Sequence, residues 1–395
     1  MNYILFEDYS RENLLPLTFT RPVAEIRTGI LTIKQKWEYV LKKEPSYLTQ
    51  DYLSEKYPLH SENNNMLING SIFPEKKLLA RIKKLSSGQA LVKGHDIVAA
   101  NLEKEKIEDF KNKELRDIDI IEYENQITKI NHLWQIFNLN GKAIQSDFEL
   151  LTKNRESENI SSTNNIIAPE NIFIEPGAKV EYATINASTG LVYIGKEAEI
   201  MEGSVIRGPL AMCEHAVLKL SSKIYGPTTL GPHCKAGGEI NNSVFLGYSN
   251  KAHDGFLGNS VIGEWCNLGA NTNNSNLKNN YAEVKLWNYP EERFINTSLQ
   301  FCGLIMGDHS KCGINTMFNT GTVVGVNTNI FGEGFPRNFI PSFSWGGTKG
   351  FNIYKIEKAF EVAEKVMQRR NISFTNADKQ ILKEIFLQTE QYRKY

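Results

Sequence analysis

The stretch IGKEAEIMEGSVIRGPLAMCEHAVLKLSSKIYGPTTLGPHCKA, Ile194 to Ala236, carries an apolar or small residue at every sixth position: Ile194, Ile200, Ile206, Met212, Leu218, Ile224, Leu230 and Ala236. A helix repeats near 3.6 residues and a strand at two, so neither produces this period. A period of six belongs to hexapeptide repeats, which wind the backbone into a parallel β-helix. Three hexapeptides close one triangular coil, with the repeat residue pointing into the prism. Small residues at Ala198, Ser204, Ser222, Thr228 and Cys234 suit the tight corners. The spacing extends upstream to Ile174 and Val180 and returns at Met306, Cys312, Phe318, Val324 and Ile330. It breaks near 186–191 and 241–245, as short insertions would cause. A longer departure over about 276–301, with Tyr281, Val284, Leu286 and Trp287, reads as a protruding loop or hairpin.

On either side of the repeats the pattern changes. Short apolar runs at Tyr3–Phe6, Met66–Ile68, Ala90–Val92 and Ile97–Ala100 alternate with helical spacing over 29–43, capped at Thr28, and over 75–85. Strands alternating with helices predict an α/β domain over 1–151. Residues 152–165 read as a linker, since Ile160 is their one apolar side chain. The β-helix is expected over 166–349. A helical tail follows over 350–395, as two helices with the cap Thr375-Asn376-Ala377-Asp378 between them. The tail is a candidate cap for an open β-helix end, and flat prism faces predict a homotrimer.

With 45 basic and 45 acidic residues in 395, the chain offers no electrostatic footprint for nucleic acid or an anionic membrane. No run approaches the ~18 apolar residues of a membrane span, and the N-terminus lacks a signal-peptide pattern, so the expected location is the cytoplasm. All five cysteines fall in the repeat half without CxxC spacing, which predicts free core residues.

Of seven histidines, four lie among the repeats. His253 stands at an expected coil corner beside Lys251 and Asp254, where a neutral imidazole can take a proton from an attacking amine or hydroxyl. His215, His233 and His309 read as structural. The repeats contain no close histidine pair of the kind a shared zinc site needs, so no metal is assigned there.

The run Lys251-Ala252-His253-x-x-Phe256-Leu257-Gly258-Asn259-Ser260, followed by Asn267-Leu268-Gly269-Ala270, resembles the acetyltransferase half of the bifunctional GlmU family. That family joins a sugar nucleotidyltransferase domain to a trimeric left-handed β-helix. The resemblance implies N-acetylation of an amino sugar resembling glucosamine-1-phosphate by acetyl-CoA, with His253 as general base. It places Glu239, Lys251 and Asn276 at the sugar. Acetyl-CoA falls near Gly269, Ala270 and Asn315, with backbone amides at Gly269 or Ala270 facing the oxyanion. Phe256 and Asn259 differ from the tyrosine and aspartate of the family's pattern, and Tyr225 and Asn241 replace its phosphate-binding arginine and lysine. At the N-terminus there is no glycine-rich phosphate loop. Leu14-x-Pro16-Leu17-Thr18-x-Thr20-Arg21-Pro22 resembles a diverged nucleotidyltransferase branch of GlmU-like proteins. It implies a nucleoside triphosphate and a sugar phosphate as ligands, held by Arg11, Arg21, Arg27 and Asn69, with Mg2+ where Asn69 replaces the usual carboxylate. The product class implied is UDP-N-acetylglucosamine-like. Two alternatives stand beside this reading: a nucleotidyltransferase with the β-helix as scaffold, and a non-catalytic nucleotide-sugar sensor.

Overall fold

The computed structural model describes residues 1–112 and 118–395. They form two compact units. The first comprises 1–14, 20–26 and 31–131; the second comprises 15–19, 27–30 and 132–395.

The first unit is built on a six-stranded sheet in the order Ser46–Leu48, Asn2–Phe6, Asn64–Asn69, Asp96–Glu103, Gln89–Lys93, Asp119–Glu122. The first three strands run parallel; Asp96–Glu103 is antiparallel to both its neighbours. Its core gathers Ile4, Phe6, Leu67, Ala100 and Phe110. The expected helix over 29–43 is shorter, Ile33–Leu41. Its cap is Thr32 rather than Thr28, because Gln35 stands three residues after Thr32 and completes a capping box.

The unit ends at Asn131 rather than Leu151, because the helices Leu133–Asn138 and Asn140–Thr152 belong with the second unit. Asn140 explains part of this. Its Oδ1 accepts the Gly29 amide at 2.7 Å, and its Nδ2 donates to the Pro227 carbonyl at 2.9 Å. Residues 152–165 are no loose linker either. Arg155 grips Glu175 through two bonds of 2.8 and 2.6 Å, and Glu158 donates its amide to the Ile174 carbonyl.

In the second unit, sheets of six, nine and ten strands form the three faces of a β-helix, parallel except where Gly350–Ile353 closes the ten-stranded sheet antiparallel to Ser344–Gly347. Every residue of the six-residue series from Ile174 to Ala236 and from Met306 to Ile330 is buried. Burying each Val, Leu, Ile, Met or Phe of the series contributes roughly 1.5–3 kcal/mol, so the series is the core. The corners need one residue in the left-handed region. His215, His233, Tyr248, Trp265 and His309 take that role with φ between 54° and 61°. Stacked coil on coil, their rings form a ladder with centroid spacings of 4.7, 5.2, 4.3 and 6.3 Å. The small residues Ala198, Ser204, Ser222 and Cys234 each follow such a corner residue and are buried. All five cysteines are buried and free.

The second break in the period is a shortening, not an insertion. Ile194 pairs with Met212 one full coil later, but Leu230 pairs with Phe245 and Ala236 with Lys251. Lys251 therefore takes an inward position. The departure over 276–301 forms an antiparallel hairpin, Lys285–Asn288 with Arg293–Asn296. It packs back rather than protruding: Val284 and Leu286 are buried, and Trp287 stacks on Phe339 at 4.2 Å. Helices Ile356–Gln368 and Asn376–Gln388 follow, the second capped by Thr375 with Asp378.

Candidate functional site

The corner Ala252–Gly255 links the strand Asn250–Lys251 on one face to Phe256–Gly258 on the next. His253 is exposed on this corner and lines a cavity of about 630 Å³. That is a size suited to an extended small molecule. Gly269 and Ala270 line the same cavity, with Tyr248, Trp265, Leu268 and Ile314 as its apolar wall. Lys235, Arg369 and Arg370 supply a cationic end. Burial, then repulsion from Arg370, Lys219 and Arg369, holds Lys235 below its usual range, only partly opposed by Glu199. The Asn250 Oδ1 is buried without a hydrogen-bond partner on the strand that lines the cavity.

Lys251 is not part of the cavity lining. Its side chain lies inside the coil, 1% exposed, and its ammonium donates to the carbonyls of Gly237, His253 and Asp254 at 3.2, 2.7 and 3.2 Å. Burial pushes it down to about 8 against the pull of Asp254. Its place is beneath the His253 corner, holding that corner's backbone. Lys311, which lines the cavity, is likewise pushed down to about 8 by burial and donates to the His309 carbonyl at 2.8 Å.

Glu239, Phe256 and Asn276 gather on the adjoining face. Glu239 pairs in register with Phe256 and accepts the Tyr225 hydroxyl at 2.6 Å. Asn276 donates to Asn259 Oδ1 at 2.8 Å. Asn273 and Asn274 brace this strand by accepting the amides of Phe256 and Gly258 at 2.8 and 2.9 Å. Asn315 stands apart from the cavity lining. It is a left-handed corner residue whose Oδ1 accepts from Asn271 at 2.8 Å, a ladder contact between coils.

The Gly269 amide donates to the Cys312 carbonyl at 3.0 Å. It is spent on the coil and is no oxyanion donor. The glycine is required sterically, since a Cβ there would sit 2.5 Å from the Gly313 carbonyl atoms. Gly269→Ala is therefore expected to lower stability by about 1–3 kcal/mol through overpacking, read as a fall in the thermal midpoint.

A second cavity, about 580 Å³, lies in the first unit, lined among others by Phe6, Glu7, Asp8, Asp51, Asp96 and Lys111. None of Arg11, Arg21 or Arg27 lines it. Arg11 is buried beside Glu7 at 3.6 Å and donates to the Tyr52 hydroxyl at 2.7 Å. Arg21 is 3% exposed, with Nη2 3.5 Å from Thr20 Oγ1. Arg27 belongs to the second unit and donates to the carbonyls of Leu246 and Ile30. All three arginines are thus buried among protein partners and lie outside the lining of that cavity. Asn69 is saturated as well. Its Nδ2 donates to Asp8 Oδ2 and the Ile97 carbonyl, and its Oδ1 accepts from the amide and hydroxyl of Ser71.

The donor set does not fit Mg2+. Between the carboxylates of Asp8 and Asp96 lies the Lys129 ammonium, 2.7 Å from each. Mg2+ needs six oxygen ligands near 2.1 Å, and an ammonium stands in that place. Among the described residues no group of three or more His, Cys, Asp or Glu is arranged to hold a metal. None of these described helices is long and apolar enough to cross a membrane.

The sequence reading missed Lys235, Arg369, Arg370 and Lys129. The adjacent arginines at the end of a helical pattern were the one available signal, and nothing local ties them to His253.

Residues 3–156 match a family model described as sugar nucleotidyl transferase. A bifunctional protein GlmU of Methanocaldococcus jannaschii is 32% identical over 120 residues, 30% of this chain and 26% of that protein. A bifunctional sugar-1-phosphate nucleotidylyltransferase/acetyltransferase of Sulfurisphaera tokodaii is 27% identical over 217 residues, 54% of this chain and 47% of that protein. The chain thus spans less than half the length of either curated relative. Among solved structures, an Arabidopsis UDP-N-acetylglucosamine acyltransferase is similar at 16% identity over 60% of this chain and 82% of that one, with a TM-score of 0.23. The chain is thus similar to sugar nucleotidyl transferases over residues 3–156 and, over part of its length, to bifunctional proteins named GlmU.

Proposed function

We propose that this chain is a transferase of nucleotide-sugar metabolism that N-acetylates an amino sugar from acetyl-CoA at the His253 cavity. One observation carries the reading: an exposed imidazole opens onto a cavity with an apolar wall and a cationic end at Lys235, Arg369 and Arg370. The thioester arm suits the wall and the CoA phosphates suit the cations. His253 takes the proton as the amine nitrogen attacks the thioester carbonyl. The C–S bond then breaks, and the same imidazole returns the proton to the CoA sulfur. Ala270 remains the candidate amide for the oxyanion. Glu239 and Asn276, on the neighbouring face, are the candidate sugar contacts.

The N-terminal unit binds a nucleotide or sugar phosphate in this reading, and the assembly is a cytoplasmic homotrimer built on the flat coil faces. Light scattering on the purified chain tests the trimer. Thiol release from acetyl-CoA, measured across amino-sugar phosphates and nucleotide-linked amino sugars, tests the reaction. Release that depends on one acceptor supports the proposal, and silence across the panel overturns it in favour of a scaffold.

A further inference from the structure

Lys129 has its ammonium held by two carboxylates and one aromatic ring at the edge of the N-terminal cavity. Its side chain is 4% exposed, and its ammonium lies 2.7 Å from Asp8 Oδ2, 2.7 Å from Asp96 Oδ1 and 4.2 Å from the centroid of the Tyr9 ring. Each carboxylate is mostly covered, at 17% and 18% side-chain exposure. Asp8 is held further by the Ser10 hydroxyl and by Asn69 Nδ2 at 2.8 Å. The backbone fixes the lysine too. Phe73 donates its amide to the Thr128 carbonyl and Ile130 to the Ser71 carbonyl, so Lys129 sits on a clamped segment. Burial raises the Asp8 carboxyl, but the charge and hydrogen bond of Lys129, with Ser10 and Asn69, outweigh it and hold the group below its usual range. Burial likewise disfavours the Lys129 ammonium, and its bonds to Asp8 and Asp96 reverse the effect.

We propose that Lys129 is a built-in counter-cation occupying the seat between Asp8 and Asp96, so that the N-terminal cavity takes its ligand without a divalent metal. Two carboxylates each 2.7 Å from one nitrogen are close enough to share a single cation. A hydrogen-bonded ammonium neutralises them without open coordination positions, whereas a bound Mg2+ would keep several for phosphate oxygens. A divalent ion must therefore expel a buried, doubly paired lysine before it binds. Leaving either charge unpaired in that setting is costly. This inference concerns the first unit alone and stands apart from the acetyl-transfer reading.

The test is Mn2+ titration of the full-length chain, followed by electron paramagnetic resonance, for the wild type, Asp8→Asn, Lys129→Ala and the double variant. Wild type and Asp8→Asn are expected to bind Mn2+ alike, through weak surface sites only. Lys129→Ala is expected to bind at least tenfold more tightly, and the added Asp8→Asn to abolish that gain. Wild-type binding tighter than that of Asp8→Asn overturns the proposal. So does a folded Lys129→Ala chain with no gain in affinity. The comparison of wild type with Asp8→Asn decides the matter by itself where Lys129→Ala does not fold.

Discussion

His253→Ala is expected to lower acetyl transfer by about 10²–10⁴-fold, the usual contribution of a positioned general base, with the thermal midpoint unchanged. The side chain is exposed at a coil corner, so its removal leaves no cavity and orphans no buried polar group. The cationic end of the pocket lies on other elements, at Lys235 and the Arg369–Arg370 pair. The KM for acetyl-CoA should therefore hold while kcat falls. Steady-state kinetics with thiol detection separates the two quantities. Unchanged kcat would remove His253 from the chemistry, whatever else the cavity binds.

The second large effect is expected at Lys251, through position rather than contact. Opposing terms decide its outcome. Replacing it with methionine relieves roughly 3 kcal/mol of burial penalty, taking 1.36 kcal/mol per unit for a group held at about 8 instead of 10.5. Against this, three carbonyls lose their donor, at about 1–3 kcal/mol each. Two of them, at His253 and Asp254, belong to exposed residues and recover water, which keeps the loss near the low end. Stability should thus change little. The corner itself loses its anchor, and misplacement of His253 by about 1 Å is enough for a 10²-fold loss. Lys251→Met is accordingly expected to lower kcat by about that factor at a nearly constant melting temperature. A loss of activity matched by a large fall in stability would make Lys251 a folding residue only.

The pH dependence has a definite sign. Lys251 and Lys311 lose their protons near 8 in the folded chain and near 10.5 when unfolded. Across that window the unfolded state holds more protons, so stability from these two groups rises with pH. Denaturant unfolding at several pH values should show the rise, and Lys251→Met should make it shallower.

The six-residue period made the β-helix readable because each repeat residue reports burial independently of the others. The same reading failed at Lys251 for a reason of geometry. Once a coil is shortened at 241–245, the side on which later residues point depends on the pairing of strands, and Ala236 with Lys251 is a register that spacing does not reveal. The burial of Arg27 was not legible because its partners, the Leu246 and Ile30 carbonyls, are backbone atoms that leave no side-chain signature. Arg369 and Arg370 come to the cavity only through the fold of the tail. Lys129 carried no local pattern, and its meaning lies in two carboxylates far away in sequence.

The ring ladder along one corner also governs how the repeat unit comes apart. Each coil touches only the coils beside it, so the unit opens from its ends inward and its stability accumulates between neighbours. His215, His233, Tyr248, Trp265 and His309 bolt successive coils together across the middle of that array. Fraying that begins at either end must unstack these rings before it reaches the His253 corner. Amide hydrogens around Ala236 and Leu268 should consequently exchange last, and the cavity should outlast the partial unfolding of the coils that flank it.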